Sequence, residues 1–136
     1  ELFSLDAGVG EYVRAVYAEK AGIAVFAGGG TVSKVAGVDP VMGTASFNVD
    51  PGIGAIWSLT YVPDTGAVVC GGSWSRPSDV GRVAGIDPAK GETIFDVDPG
   101  VGKYVVGTYA SSSKLVFVGG ENGKVAALDP ATGETR

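Results

Sequence analysis

The hexapeptide VDPGVG at Val97–Gly102 occurs twice earlier in nearly the same form, as VDPGIG at Val49–Gly54 and as LDAGVG at Leu5–Gly10. A single glycine-rich loop that carries a carboxylate is typical of a phosphate or metal site. Three copies spread along one chain indicate instead a joint that the fold requires once per repeated unit. The loop therefore marks the period of an internal repeat.

The repeat extends over the whole chain and divides it into three units, at residues 3–46, 47–94 and 95–136. Each unit opens with a phenylalanine and ends with a loop that begins with Asp-Pro. The recurring residues are Phe3, Phe47 and Phe95; Tyr17, Tyr61 and Tyr109; the pairs Gly28-Gly29, Gly71-Gly72 and Gly119-Gly120; and Asp39-Pro40, Asp87-Pro88 and Asp129-Pro130. The sequence therefore predicts one domain segment built from three equivalent parts.

The periodicity inside each unit is that of β-strands. Short runs rich in Val, Ile, Phe and Tyr are bounded by Gly, Pro or Asp, and no long run has a helical period. In the third unit the predicted strands are Ile94–Val97, Tyr104–Ala110, Leu115–Val118 and Lys124–Leu128. Four antiparallel strands in about 45 residues are typical of a β-propeller blade. The predicted fold is therefore all-β, a propeller segment of three four-stranded repeats. A β-sandwich is the alternative, but it does not need three equivalent units.

Two segments carry a family resemblance. GRVAGIDPAKGETIF at Gly81–Phe95 and GKVAALDPATGETR at Gly123–Arg136 resemble the repeats of quinoprotein-type and WD-repeat-type propellers. Phe47 and Phe95 stand where the quinoprotein-type repeats usually have Trp, and the resemblance implies that these rings dock between blades. For the enzymes of that family it also implies a pyrroloquinoline quinone and Ca²⁺ on the ring axis, whereas other propellers with such repeats are scaffolds.

Three units are fewer than the roughly 4–8 blades that close a propeller. Two arrangements account for this. Either the chain is a segment of a longer propeller, or two copies associate so that the N-terminal strand of each completes a blade of the other. Unpaired strand edges and open blade faces favour association in both cases. The predicted partners are further blades or other protein subunits, and a homo-oligomer is one of the alternatives.

The composition is globular and lacks the residues of the common catalytic centres. The 136-residue chain has a net charge of −5 and no histidine, which excludes Ser-His-Asp and Cys-His arrangements. It has no basic cluster for nucleic acid and no apolar run long enough to span a membrane. Cys70 is the only cysteine, so an internal disulfide is excluded. Its position, taken as equivalent to Ala27 and Val118, predicts a small buried side chain.

Backbone geometry explains the repeated loops better than chemistry does. In the DPG turns, Asp bonds the backbone ahead of it, Pro presets φ and Gly supplies a positive φ. The DPVMG, DPAKG and DPATG loops likewise need left-handed glycines, at Gly43, Gly91 and Gly133. The alternative is a ring of Ca²⁺-binding carboxylates, which would consist of Asp6, Asp50 and Asp98. Because one carboxylate per blade is spread around a ring, we expect these loops to hold no metal and no cofactor.

The non-repeated feature of the chain is an insertion in the second unit, SWSRPSDVGR at Ser73–Arg82. It carries Trp74, Arg76 and Asp79, and in a propeller it lies on the same rim as the DPGIG connection and Trp57. Trp and Arg on a loop are typical of contact hot spots. The alternative is a surface insertion whose Trp folds back on its own blade.

The sequence thus favours a non-catalytic propeller scaffold that mediates protein–protein interaction or assembly, without a cofactor and without contact to nucleic acid or insertion into a membrane. A segment of a quinoprotein-like dehydrogenase is one alternative. Carbohydrate binding by Trp57 and Trp74 on the rim is another. Low charge, abundant glycine and the quinoprotein-type resemblance favour a location outside the cytoplasm.

Overall fold

A computed structural model describes residues 3–30, 33–72 and 81–136. These residues form three antiparallel sheets and contain no helix that is long and apolar enough to cross a membrane. Their strands are β1 (Arg14–Ala18), β2 (Ile23–Ala27), β3 (Val35–Asp39), β4 (Thr44–Val49), β5 (Ile56–Tyr61), β6 (Val68–Gly72), β7 (Arg82–Asp87), β8 (Glu92–Val97), β9 (Val106–Ala110), β10 (Leu115–Gly119) and β11 (Val125–Leu128).

Each sheet is a meander in which consecutive strands are neighbours. Sheet 1 has the order β1-β2-β3-β4, sheet 2 has β5-β6-β7-β8, and sheet 3 has β9-β10-β11. A bridge between Leu128 and Thr135 begins a fourth position in sheet 3. The prediction of four antiparallel strands per unit is therefore confirmed for two sheets, and the described part of the third has three strands.

The sheets are offset by one strand from the sequence units 3–46, 47–94 and 95–136. Phe47 opens the second unit but lies on β4 of sheet 1, where it pairs with Gly37. Phe95 opens the third unit but lies on β8 of sheet 2, where it pairs with Gly85. The second and third repeat units thus contribute strands to two sheets each, so covalent continuity along the chain also ties neighbouring sheets together.

The sheets stack face to face over two apolar cores. One core lies between sheets 1 and 2 and includes Val25, Val35 and Ile86, and the other lies between sheets 2 and 3 and includes Val69 and Val116. Sheet 2 is covered on both faces, and accordingly every residue of β6 is buried. This explains why β6 is a continuous apolar run rather than an alternating one.

The phenylalanine rings dock between sheets, as expected. Phe47 lies over Gly37 of its own sheet and over Gly91 in the β7–β8 turn of the next sheet. A Cβ on Gly91 would lie 2.5 Å from Phe47 Cβ, so the ring needs glycine beneath it. Phe95 repeats the arrangement over Gly85 and the turn glycine of the third sheet.

The turn predictions are also confirmed. The Asp6, Asp50 and Asp98 carboxylates accept hydrogen bonds from the amides of the glycines two residues ahead, at 2.8–2.9 Å. Those glycines have φ between 68° and 74°, and the glycines of the Asp-Pro loops between the third and fourth strand positions have φ between 68° and 76°. These φ values are open to glycine at little cost. The recurring loop that opened the sequence analysis is therefore a turn.

In sheet 1, the strand pairing differs by one residue from the alignment that the glycine pairs suggest. Cys70 pairs with Leu59 in the way that Phe26 pairs with Ala15, so its counterpart in sheet 1 is Phe26 rather than Ala27. The extra glycine at Gly30 concealed this shift. Cys70 is fully buried, as predicted, and burial raises the pKa of its thiol to about 12.

Candidate interaction surface

The first strands of the three sheets lie side by side and are joined by side chains that bond the backbone of the next sheet. Ser58 Oγ on β5 donates to the carbonyl of Val105 at 3.2 Å, and Thr60 Oγ1 donates to the carbonyl of Gly107 at 3.1 Å. Arg14 takes the place of Ser58 between sheets 1 and 2, because its Nε donates to the Trp57 carbonyl at 3.0 Å. These bonds align the entrances of the three first strands.

Arg14, Trp57 and Tyr104 form a continuous cluster across these entrances, which we call the rim cluster. The guanidinium carbon of Arg14 lies 5.7 Å from the centroid of the Trp57 ring. The Tyr104 ring meets the same indole edge-on, with centroids 5.5 Å apart and planes at 77°. Both geometries are favourable for an aromatic ring, one as a cation–π contact and the other as a T-shaped pair.

Trp57 is presented by an irregularity of β5. Ile56 pairs with Gly72 and Ser58 with Gly71, so Trp57 is the extra residue of a β-bulge. Bulges redirect side chains next to functional sites. Trp57 itself is half-buried, and its buried Nε1–H has no hydrogen-bond partner among the described residues. Such a donor needs an explanation, since buried polar groups are nearly always satisfied.

Tyr104 and Tyr12 hold the same position in their repeats and share an uncommon backbone. Their φ angles are 56° and 53°, in the left-handed region that non-glycine residues rarely adopt. Both rings are exposed, Tyr104 at 44% and Tyr12 at 70%. The second repeat has the buried Ile56 at this position, so its neighbour Trp57 provides the aromatic group there. Only Tyr104 contacts Trp57 among these two tyrosines.

Of the residues predicted for binding, Trp57 lies in the rim cluster, and Trp74, Arg76 and Asp79 lie outside the described residues. The described residues that flank their segment are Gly72 and Gly81. A Cβ on Gly72 would lie 2.5 Å from the Ala55 carbonyl oxygen, which belongs to the connection that leads into Trp57. Gly81 contacts the backbone of Gly102 in the connection that leads into Tyr104.

Sequence reasoning missed Arg14 and Tyr104. Tyr104 was only the first residue of a predicted strand, and Arg14 was not singled out. The available signal was that Arg14 breaks the repeat, because Ser58 and Val106 occupy the equivalent positions. A charged residue at a position that is small or apolar in the other repeats indicates a side chain with an additional role.

The repeated tyrosines at the opposite ends of the first strands act as latches between sheets. Tyr61 Oη accepts the backbone N–H of Lys20 at 3.0 Å, and Tyr109 Oη donates to the Asp64 carboxylate at 2.8 Å. Desolvation, followed by the hydrogen bond to Asp64, raises the pKa of Tyr109. The tyrosine hydroxyl is thus hydrogen-bonded at the end of the first strand in sheets 2 and 3. Tyr17, the equivalent in sheet 1, is 54% exposed.

Acidic side chains do not converge in the part of the chain that the structure describes. No group of three or more His, Cys, Asp or Glu residues there could hold a metal ion. Asp50 and Asp98 instead bond their own turns. The described residues therefore do not supply the Ca²⁺ donor set that the quinoprotein-type resemblance implies.

The stacked meanders and the connections between them define the chain as a series of β-propeller blades, which confirms the predicted fold class. The fold is similar to that of Sqt1 from Saccharomyces cerevisiae, a WD-repeat propeller whose crystal structure matches 91% of this chain with a TM-score of 0.66 and 13% sequence identity. The chain spans about a third of Sqt1, 34% of its length. No protein-family profile and no curated protein sequence matches this chain. At this identity the likeness shows the fold alone.

Proposed function

We propose that this chain is a non-catalytic β-propeller scaffold that binds a protein partner through the rim cluster and the adjoining segment with Trp74, Arg76 and Asp79. The observation that carries the proposal is the contact of a cation and two aromatic rings, drawn from sheet 1, sheet 2 and the connection that leads into sheet 3. Arg, Trp and Tyr are the residue types that dominate the energy of protein interfaces. The packing of the repeats does not itself require Arg, Trp and Tyr to meet at this position.

The geometry of the rim cluster supports binding at low entropic cost. Trp57 is held from both sides, by Arg14 and by Tyr104, so its ring is ordered before a partner arrives. Arg14 donates a hydrogen bond from Nε to the Trp57 carbonyl and another from Nη1 to the Tyr12 carbonyl. Its remaining N–H groups are donors that the carbonyl groups of a peptide can satisfy.

The polar residues that recur in every repeat support a scaffold rather than an enzyme. Asp39, Asp87 and Asp129 each accept backbone N–H bonds inside their own turns. Hydrogen bonds from the backbone amides of Met42 and Val41 lower the pKa of Asp39, as expected for a carboxylate that anchors a turn. These carboxylates are therefore occupied by hydrogen bonds to the backbone of their own turns.

The test is selection of peptide ligands from a random linear peptide library, followed by affinity measurement with variants. We expect selected peptides to lose about 10-fold or more in affinity, about 1.4 kcal/mol, when Tyr104→Asn removes the ring from the rim cluster. Asn tolerates the left-handed backbone of this position. Tyr12→Asn is the matched control, because it has the same backbone and lies outside the cluster. Equal losses for both variants, or failure to enrich any peptide, would contradict the proposal.

A second variant separates binding from folding at Arg14. Arg14→Ser keeps a hydroxyl that can bond the Trp57 carbonyl, as Ser58 bonds Val105 in the neighbouring sheet. We expect the thermal midpoint to change little and peptide affinity to fall. For the adjoining segment, the double variant Trp74→Ala/Arg76→Ala should weaken the same peptides with unchanged stability, and a large loss of stability would show that the segment is structural.

A further inference from the structure

The two internal interfaces of the chain are built to one pattern. In each, the forward face of one sheet packs on the rear face of the next. Between sheets 2 and 3, the forward face carries Val69 and Val83, and the rear face carries Val116, Val118 and the latch tyrosine of sheet 3. A hydroxyl on the forward side bonds a carbonyl of the next first strand, and the tyrosine bonds the hairpin turn of the preceding sheet.

Sheet 3 presents the same forward face with nothing packed on it among the described residues. Val125 is 71% exposed, whereas Val35 and Val83, its counterparts in sheets 1 and 2, are fully buried. Val106 is 55% exposed beside it. Thr108 is the counterpart of Thr60, which bonds the Gly107 carbonyl across the interface between sheets 2 and 3.

Sheet 1 presents the matching rear face. Tyr17, the third latch tyrosine, is exposed, and so is Ala15, whose position corresponds to Gly107 in sheet 3. The N-terminal segment is placed as if it came from a preceding blade, because Phe3 lies over Gly43 as Phe47 lies over Gly91. Residues 3–10 line a cavity with Phe26 and Val38 of this face, while Ala15 and Tyr17 remain exposed.

We propose that two copies of this chain pair head to tail, the forward face of sheet 3 in one copy on the rear face of sheet 1 in the other. Thr108 Oγ1 then donates to the Ala15 carbonyl of the second copy, and Tyr17 bonds the 110–114 turn of the first. Two such interfaces close the pair into one ring of six sheets, within the range of about 4–8 blades. This assembly goes beyond the proposed peptide binding, and of the rim cluster only Tyr104 borders the groove formed by Val106 and Val125.

Disulfide trapping tests the register of the pairing. A Cβ on Gly107 lies 3.7 Å from Thr60 Oγ1, so Thr60→Cys/Gly107→Cys should form a disulfide within one chain. This variant is the positive control. The equivalent pair at the proposed interface is Ala15→Cys/Thr108→Cys. With oxidised glutathione, it should yield covalent dimers on non-reducing gels, and Cys70 should not interfere because it is buried. Only monomer in the presence of a working control would overturn the proposal.

Native mass spectrometry and light scattering test the assembly without cross-links. We expect a dimer for the unmodified chain and a monomer with unchanged circular dichroism for Val125→Asp, because Val125 is exposed in the single chain. Ile94→Asp is the matched control: Ile94 is 44% exposed on β8 of sheet 2 and belongs to neither proposed face, so the dimer should persist. A monomeric wild type, an open series of higher oligomers, or a dimer that survives Val125→Asp would overturn the closed pair. Arg14→Ser, at the contact between sheets 1 and 2, should leave the dimer intact, which keeps this outcome separate from the peptide-binding test.

Discussion

The contact between Gly85 and Phe95 allows a quantitative test of how the sheets are locked together. Gly85 on β7 pairs with Phe95 on β8, and the Phe95 ring lies where a side chain of residue 85 would be. A Cβ on Gly85 would be 2.8 Å from Cδ1 and 2.9 Å from Cζ of the ring. Gly85→Ala should therefore destabilise the fold by forcing the ring out of the interface with sheet 3.

The expected size follows from two opposing effects. Inserting a methyl group into a filled space costs about 1–3 kcal/mol. Replacing glycine with alanine returns about 0.4–1 kcal/mol by restricting the unfolded chain, and no backbone penalty applies because Gly85 does not have a positive φ. The net loss is about 1–2 kcal/mol. In a Phe95→Ala background, which itself costs about 3–5 kcal/mol, the added methyl meets a cavity. There we expect the substitution at Gly85 to be neutral or slightly stabilising.

The assay is urea denaturation of the two single variants and the double variant, at one protein concentration so that assembly does not alter the comparison. The double-mutant cycle should give a coupling of about 1–3 kcal/mol. Ala127→Gly is the matched control, because Ala127 holds the position of Gly85 in sheet 3, while its phenylalanine neighbour, Phe117, lies on β10 and not on a fourth strand. It should cost less than about 1 kcal/mol. Additive effects of Gly85→Ala and Phe95→Ala would refute the steric explanation.

Three further predictions concern titratable groups. The buried Cys70 thiol, with its pKa raised to about 12, should not react with Ellman's reagent at pH 8 until denaturant is added, and rapid labelling of the folded protein would contradict its burial. A hydrogen bond from Arg136 lowers the pKa of Asp129, so its contribution to stability is present above about pH 4 and is lost as pH falls through the lowered value; Asp129→Asn should flatten the thermal midpoint against pH in acid. Desolvation and the hydrogen bond to Asp64 raise the pKa of Tyr109, which therefore stabilises the fold below its unfolded pKa and ceases to do so as pH rises through the folded one; Tyr109→Phe should remove a late step from the ultraviolet titration of the tyrosines.

Sequence reasoning reached the parts of this fold that depend on local chemistry. The DPG turns and the left-handed glycines follow from residue type at fixed offsets, and the docking phenylalanines were implied by the family resemblance. The offset between units and sheets was anticipated in part, by the expectation that an N-terminal strand completes a neighbouring blade. The unit bounds did not include it, because the strand that holds Phe47 shows the same alternation whichever sheet it joins. The register of the glycine pairs failed for a related reason: Gly30 makes two alignments of the first unit equally consistent, and only the pairing of Phe26 with Ala15 decides between them.

The rim cluster was out of reach of sequence reasoning for a different reason. Its members come from sheet 1 (Arg14), sheet 2 (Trp57) and the connection into sheet 3 (Tyr104), and their contacts exist only once the sheets have stacked. One repeated position has a different role in each sheet; it is occupied by Arg14, Ser58 and Val106. Ser58 only joins two sheets. Arg14 makes the same bond and retains donors for a partner, while Val106 makes no such bond and adds apolar area to an open face. In this repeat the shared residues build the blade, and Arg14 and Trp57 of the proposed binding site lie at positions where the copies differ.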